Sequence, residues 1–246
     1  MKLTLSISAV CDIGCMKPNN EDMILIHDEI FRDGKIKADF DLYETRLIFA
    51  VADGVGGLNN GEIASGMVLS SLRDILMKIP DDLTNDELKE VFDTFTAETH
   101  SGLANDMGST LVGLFFYNSK LFRFHAGDSR LYRLRRRELE RLTVDHSLRE
   151  SGGQKNAPSN IITNSIGGGS SSFIEFAEIA FPFYANDLYL LSSDGMHDLV
   201  SQGEILETLD NPKIRGDAAA KKLVNLAKKY GGKDNISVVT IKIKET

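Results

Sequence analysis

Apolar positions along this chain form short strand-like runs, broken by two pairs of helical patterns. Leu3 to Val10, Met23 to His27 and Leu47 to Ala52 predict strands. Glu62 to Ile79 predicts a helix, with Ile63, Met67, Leu69, Leu72, Ile75 and Leu76 near helical spacing and Pro80 with Asp81-Asp82 ending it. A second helix is predicted from Thr84, where Thr84 and Glu87 have capping-box spacing, to about Leu103, with Leu88, Val91, Phe92 and Phe95 on one face. Strands resume at Thr110 to Tyr117, Leu121 to His125 and Leu131 to Leu134, with turns at Asn118-Ser119 and near Arg136. Ser151 to Asn160 reads as a polar loop, and Phe173 to Ala180 and Leu188 to Ser192 as strands. Two more helices are predicted, Gln202 to Leu209 and Asp217 to Tyr230, the latter with Gly231 at the C-cap, before a last strand from Ile236 to Ile243. Helix pairs between groups of hairpin-linked strands predict a layered α+β fold of antiparallel sheets with helices outside. No linker, low-complexity block or repeat divides the chain, so one domain over 1–246 is expected.

Composition changes this picture little. A chain of 246 residues, 42% hydrophobic and 26% charged, is ordinary for a globular protein that buries a substantial core. The net charge of −8 argues against general nucleic-acid binding, which needs Lys and Arg to neutralise phosphates. The basic run Arg133 to Arg141 reads instead as a half-solvated strand, because Arg133 and Arg135 alternate with Tyr132 and Leu134. Cys11 and Cys15 are too few for a disulfide framework and lie in no zinc-like tract. Met1 to Val10 is too short and polar for a signal peptide, and no apolar run is long enough to span a bilayer. A cytoplasmic location is expected.

Candidate chemistry changes it more. Three apolar runs end at Asp53-Gly54, Gly127-Asp128 and Asp194-Gly195, and Asp234-Asn235 immediately precedes a fourth. Strand ends can gather at one rim of a sheet, where carboxylates repel unless cations neutralise them. Hard divalent ions such as Mg²⁺ and Mn²⁺ favour such oxygen ligands. Asp53 could bridge two metals, with the Gly54 carbonyl as a further ligand. Glu21 and Asp22 are adjacent carboxylates at a strand start, and Lys17 is the nearest cation able to meet a phosphate oxygen. Each feature alone also reads as a capped or polar turn, a solvated lysine or, for Asp128 with Arg130, an ordinary hairpin pair. The five histidines show no paired metal spacing; His146, after Asp145, is the one to watch.

Taken together and in order, these segments resemble the PP2C (PPM) family of metal-dependent protein Ser/Thr phosphatases, especially its bacterial branch. The matching pieces are Asp12-Ile13-Gly14, Asn20-Glu21-Asp22, Asp53-Gly54-Val55-Gly56-Gly57, Met107-Gly108-Ser109-Thr110 and Gly127-Asp128-Ser129-Arg130. Asp145-His146-Ser147, Ile162-Thr163-Asn164-Ser165-Ile166-Gly167, Ser193-Asp194-Gly195 and Gly232-Lys233-Asp234-Asn235 continue the order. The resemblance implies a four-layer α-β-β-α sandwich with a binuclear Mn²⁺ or Mg²⁺ centre at one rim. It implies that Asp53 bridges the metals, Gly54 supplies its carbonyl, and Asp194 and Asp234 are direct ligands. Glu21 and Asp22 would orient water or complete the ligand set, and Asp128 with Asp194 would match a third metal position. A water held between the metals would then attack phosphoserine or phosphothreonine in line, without a phosphoenzyme.

Three departures from the family pattern bear on substrate handling. Lys17 stands where an Arg usually grips phosphate, which predicts weaker substrate binding. Val55 stands where eukaryotic members have a His proposed as general acid. Asp145 to Thr163 reads as a shortened flap, with Gly152-Gly153 and Pro158 in a trimmed loop, while Asp28 to Thr45 reads as an expanded exposed hairpin or loop. The resemblance implies phosphorylated protein substrates of a Ser/Thr kinase, no nucleic-acid or membrane partner, and a monomer. The alternatives are a phosphatase of small phosphomonoesters, or a non-catalytic binding module that keeps the fold.

Overall fold

The structure is a computed structural model that describes residues 3–42, 46–55, 60–104, 106–151, 161–179, 184–214 and 216–245. Strand β7 (Leu111–Tyr117) shows how the sequence builds its layers, since every residue in it is buried. Leu111, Phe115 and Tyr117 enter one apolar core, while Val112, Leu114 and Phe116 enter another. Successive side chains of an extended chain point to opposite faces, so a strand apolar at both parities needs cover on both. Strand β5 (Arg46–Val55) repeats this, with Ile48, Ala50 and Ala52 in the first core and Leu47, Phe49 and Val51 in the second.

One sheet runs in the order β10 (Glu138–Arg141), β9 (Arg130–Arg135), β13 (Leu188–Ser192), β14 (Ile236–Glu245), β1 (Leu3–Asp12), β4 (Gly34–Asp41). The other runs β11 (Ile166–Gly167), β6 (Gly108–Ser109), β5, β7, β8 (Lys120–Ala126), β12 (Glu175–Glu178), with β2 (Asp22–Ile26) between β5 and β3 (Glu29–Phe31). Each of these ladders is antiparallel. Helices α1 (Gly61–Leu76) and α2 (Asn85–Gly102) cover the second sheet through Val68, Leu72, Leu88, Phe92 and Phe95. On the first sheet, α3 (Asp194–His197), α4 (Gln202–Leu209) and α5 (Gly216–Lys229) pack Met196, Ile205, Leu223 and Val224 against Leu188, Leu190 and Val238. The middle core joins the two sheets, and the result is the four-layer α-β-β-α sandwich.

Local signals agree with this packing. Thr84 and Glu87 form the expected capping box, and Ser201 with Glu204 forms another, each stabilising its helix by about 1 kcal/mol. The half-solvated reading of β9 holds, with Arg133 and Arg135 only partly buried between Tyr132 and Leu134. Three expectations change. The buried face of α1 is Ala64, Ser65, Val68, Leu69 and Leu72, while Ile63 and Met67 are exposed, because small residues let the helix sit close to its sheet. Residues 28–42 are largely exposed, as expected, but are not one hairpin: β3 pairs with β2 in one sheet and β4 with β1 in the other, so this stretch crosses between layers. The strand expected from Phe173 starts only at Glu175, and Phe173 is exposed. Gly56, Gly57, Gly152, Gly153 and Pro158 lie outside the described residues. Among the described residues, no helix is long and apolar enough to cross a membrane.

The register decides where the chemistry falls. Asp12 faces Ile236 across β1 and β14, Ser192 faces Val238 across β13 and β14, and Asp22 faces Asp53 across β2 and β5. Ser193 Oγ donates to Asp22 Oδ2 and Glu21 N–H to Asn235 Oδ1 across the two sheets, so the start of β2, the end of β5, the end of β13 and the start of β14 share one rim of the sandwich.

Candidate metal centre

Two acids stand directly opposite each other at this rim. Asp22 and Asp53 are facing partners in an antiparallel ladder, an arrangement that destabilises a sheet when both carry charge. Asp22 is fully buried. Its Oδ2 accepts from Ser193 Oγ at 2.7 Å, but among the described residues its Oδ1 has no hydrogen-bond partner. Asp194 Oδ1 is likewise buried without a partner among them. Burial, followed by the charges of Asp22, Asp194, Asp128 and Asp234, raises the Asp53 carboxyl far above the usual carboxylate range. Burial also raises Asp22 and Asp194, with Asp234 adding to both. Asp128 is pushed up to about 7, by burial first and then by Asp194 and Asp145.

Such a cluster is costly unless cations complete it. The donor set is all oxygen, which fits hard divalent ions, and the two orphaned oxygens are where those ions would find ligands. The residues present therefore fit a Mn²⁺ or Mg²⁺ pair.

The backbone around the acids is held tightly. Thr110 N–H donates to the Asp53 carbonyl at 2.9 Å, and Asp53 N–H donates to Thr110 Oγ1 at 3.1 Å. Gly54 N–H donates to the Glu21 carbonyl at 3.2 Å, which ties both acidic segments together. A Cβ on Gly54 would lie 2.1 Å from the Gly61 carbonyl oxygen, so only glycine lets the start of α1 approach. Gly195 is under the same constraint, with the Asn235 carbonyl oxygen 2.0 Å from a Cβ there. Asn235 is buried and acts as a clasp. Its Oδ1 accepts from Glu21 N–H, and its Nδ2 donates to the Ile13 and Asn19 carbonyls, each at 2.9 Å.

The structure brings Glu21, Asp22, Asp53, Gly54, Asp128, Asp194 and Asp234 to this one end of the sandwich. Lys17 is there too, its Nζ 2.7 Å from Asp234 Oδ1. Partial burial lowers the Lys17 pKa, but Asp234, with Glu21 and Asp53, raises it on balance. The hairpin pairing expected for Asp128 is not formed. Arg130 instead grips Asp145 as a fork, with Nε at 2.9 Å from Oδ1 and Nη2 at 2.6 Å from Oδ2. The histidines also differ from expectation, since His125 and His146 pack together beside Glu175.

Sequence reasoning missed several contributors. Asn235 was visible only as the neighbour of Asp234, and Ser193 only as the residue before Asp194. Glu62 lies in the first turn of α1 and adds its charge to burial in raising Glu21, against Lys17. A cleft of about 350 Å³ beside Val55 is lined by Thr163, Asn164, Ser165 and Gly167. Another of about 310 Å³ is lined by Asp194, Asp198, Lys233 and Asp234.

This fold and rim define a class: an α-β-β-α sandwich built to hold divalent cations at one end. The model of the family described as Protein phosphatase 2C matches residues 18–151. The chain belongs to the protein phosphatase 2C family. It is 30% identical over 256 residues to the serine/threonine protein phosphatase PstP of Mycobacterium tuberculosis, covering 96% of this chain and 45% of that protein. It therefore spans about half the length of PstP. It is 30% identical over 224 residues to the serine/threonine phosphatase stp of Listeria monocytogenes, covering 82% of this chain and 86% of that protein. Among solved structures, the S. agalactiae serine/threonine phosphatase superposes with a TM-score of 0.81 at 27% identity, over 98% of this chain and 100% of that one. The PstP catalytic domain in complex with two manganese ions superposes with a TM-score of 0.74 at 28% identity, over 99% of this chain and 100% of that one.

Proposed function

We propose that this chain is a metal-dependent protein phosphatase that hydrolyses phosphoserine and phosphothreonine. It works as one catalytic domain over 1–246, with two core Mn²⁺ or Mg²⁺ ions and a third ion position at Asp128. The observation that carries the reading is the acid rim, where Asp22 faces Asp53 and where, among the described residues, the buried Asp22 Oδ1 and Asp194 Oδ1 lack partners. Membership of the protein phosphatase 2C family and the manganese-bound PstP relative support it.

Asp53, Asp194 and Asp234, with the Gly54 carbonyl, hold the core ions in this reading, while Glu21 and Asp22 orient water or complete the ligand set. Asp128 serves the third position together with Asp194. When bound, the ions supply an activated water and offset the charge of the phosphate. Lys17 donates a point-charge hydrogen bond to a phosphate oxygen rather than the fork an Arg would offer. The cleft beside Val55 seats residues flanking the phosphorylated side chain. The substrates are phosphoproteins made by a Ser/Thr kinase, and the enzyme acts as a cytoplasmic monomer.

The test is phosphate release from a phosphothreonine peptide, an aryl phosphate and small phosphorylated metabolites, with Mn²⁺ or chelator present. The reading expects peptide turnover that chelator and Asp194→Asn both abolish. Activity that survives full metal removal, or persists in Asp194→Asn, would overturn it. Turnover confined to metabolites would make the chain a small-molecule phosphatase, and no turnover with any metal would make it a binding module.

A further inference from the structure

Outside the acid rim, three titratable side chains meet in a largely buried cluster. His125 faces Glu175 across β8 and β12. His146 packs on His125 with ring centroids 4.3 Å apart, and Phe173 lies against its ring at 4.7 Å. One ligand atom each from His125, His146 and Glu175 falls within 4.8 Å of the others, compact enough for a metal ion.

The hydrogen bonds favour a different role. His146 Nδ1 accepts from the Gly127 backbone N–H at 3.1 Å and lies 2.8 Å from Asn164 Nδ2. Asn164 is locked in this orientation, because its Nδ2 donates to the Phe173 carbonyl and its Oδ1 accepts from Phe173 N–H. A ring nitrogen facing two donors carries no proton, so neutral His146 keeps its proton on Nε2. Nε2 lies 3.4 Å from Glu175 Oε1, which accepts that proton's hydrogen bond, and Arg123 holds Glu175 in turn at 3.2 Å. A metal on Nε2 would force the proton to Nδ1, against both donors. His146 also donates its backbone N–H to the Gly127 carbonyl at 2.8 Å. One residue thus grips both polar groups of Gly127, immediately before Asp128.

We propose that His146, oriented by Glu175, is a positioning residue that clamps the Gly127–Asp128 turn and so aims Asp128 toward Asp194. The proposal rests on the phosphatase reading only in giving Asp128 an ion to serve. The Arg130 fork on Asp145 is a second clamp on the same pair of loops.

The test uses the intact chain. Long-range proton–nitrogen NMR reads the His146 tautomer, amide exchange reads Gly127, and Mn²⁺ titration calorimetry reads ion binding. His146→Asn places an oxygen near the Nδ1 position, whereas His146→Gln places its polar end near Nε2. The clamp predicts an Nε2–H tautomer, and Gly127 protection kept in His146→Asn but lost in His146→Gln. It predicts that the weakest Mn²⁺ phase weakens roughly tenfold in His146→Gln and Glu175→Leu, with the tighter phases unchanged. Glu175→Gln, which still offers an acceptor oxygen, stays near wild type. An Nδ1–H tautomer, equal losses in the Asn and Gln variants, or a stoichiometric Zn²⁺ that His125→Ala releases would overturn it. Failure of the phosphatase reading shows separately, as a wild-type chain that neither binds Mn²⁺ nor hydrolyses phosphopeptide while the tautomer and exchange results still judge the clamp.

Discussion

Asp22→Asn is predicted to make the metal-free protein more stable. Asp22 faces Asp53 across the β2–β5 ladder, and facing residues hold their Cβ atoms about 4.5–5.5 Å apart. Two unit charges about 5 Å apart repel by about 3 kcal/mol at an effective dielectric near 20. The amide keeps an acceptor for Ser193 Oγ and places a donor where the orphaned Oδ1 now lies. Water at the partly open rim and proton uptake by the acids absorb part of the repulsion, leaving a net gain of about 1–2 kcal/mol. For a chain of this size, each kcal/mol moves the melting midpoint by about 2–4 °C.

The pH dependence has a definite sign. Burial and neighbouring acids raise the folded-state pKa of Asp22, so the folded protein binds more protons than the unfolded chain between the two values. The penalty is complete above the raised value and fades as pH falls toward the unfolded value of about 4. Melts in chelator should therefore favour the variant at alkaline pH, with a smaller advantage in mild acid. Mn²⁺ should reverse the order, because it stabilises the native state that binds it better. A variant less stable than wild type in chelator at alkaline pH, or an advantage that does not shrink in acid, would show that Asp22 and Asp53 do not repel in the folded protein.

Three further predictions follow from the same geometry. Gly54→Ala, which puts a Cβ 2.1 Å from the Gly61 carbonyl oxygen, should destabilise the fold by about 1–3 kcal/mol and weaken Mn²⁺ binding; unchanged melts and calorimetry would contradict the close approach. Lys17→Met removes the 2.7 Å ion pair to Asp234, so calorimetry should show tighter Mn²⁺ binding while kinetics show a higher Michaelis constant, and Lys17→Arg should lower that constant. Arg130→Lys replaces the fork on Asp145 with a point charge and should cost about 1.5–3 kcal/mol in urea unfolding, an effect that a merely solvated pair would not show.

Much of this fold was legible because its strands are apolar on both parities. β5, β7 and β13 stand out as runs, and the capping boxes mark two helix starts. β4 was not legible as a strand, although Ile36, Ala38 and Phe40 alternate with Lys35, Lys37 and Asp39. Its charged positions are exposed, as read, but pairing with β1 makes the stretch a strand. At the site, the carboxylates were legible because each sits beside an apolar run. Asn235, Ser193 and Glu62 were not, since their roles depend on which distant strands and helices they meet. The Arg130–Asp145 fork and the His125–His146 contact were hidden for the same reason, because residues far apart in sequence meet only through the loop that returns along β8 and β9.

The most direct test of the account is a crystal of the Mn²⁺-loaded chain, measured near the manganese absorption edge. Two strong anomalous peaks are expected flanking Asp53, one or both within ligand distance of Asp194 and Asp234, with a weaker third beside Asp128. No peak at this rim, or a dominant peak among His125, His146 and Glu175, would contradict this.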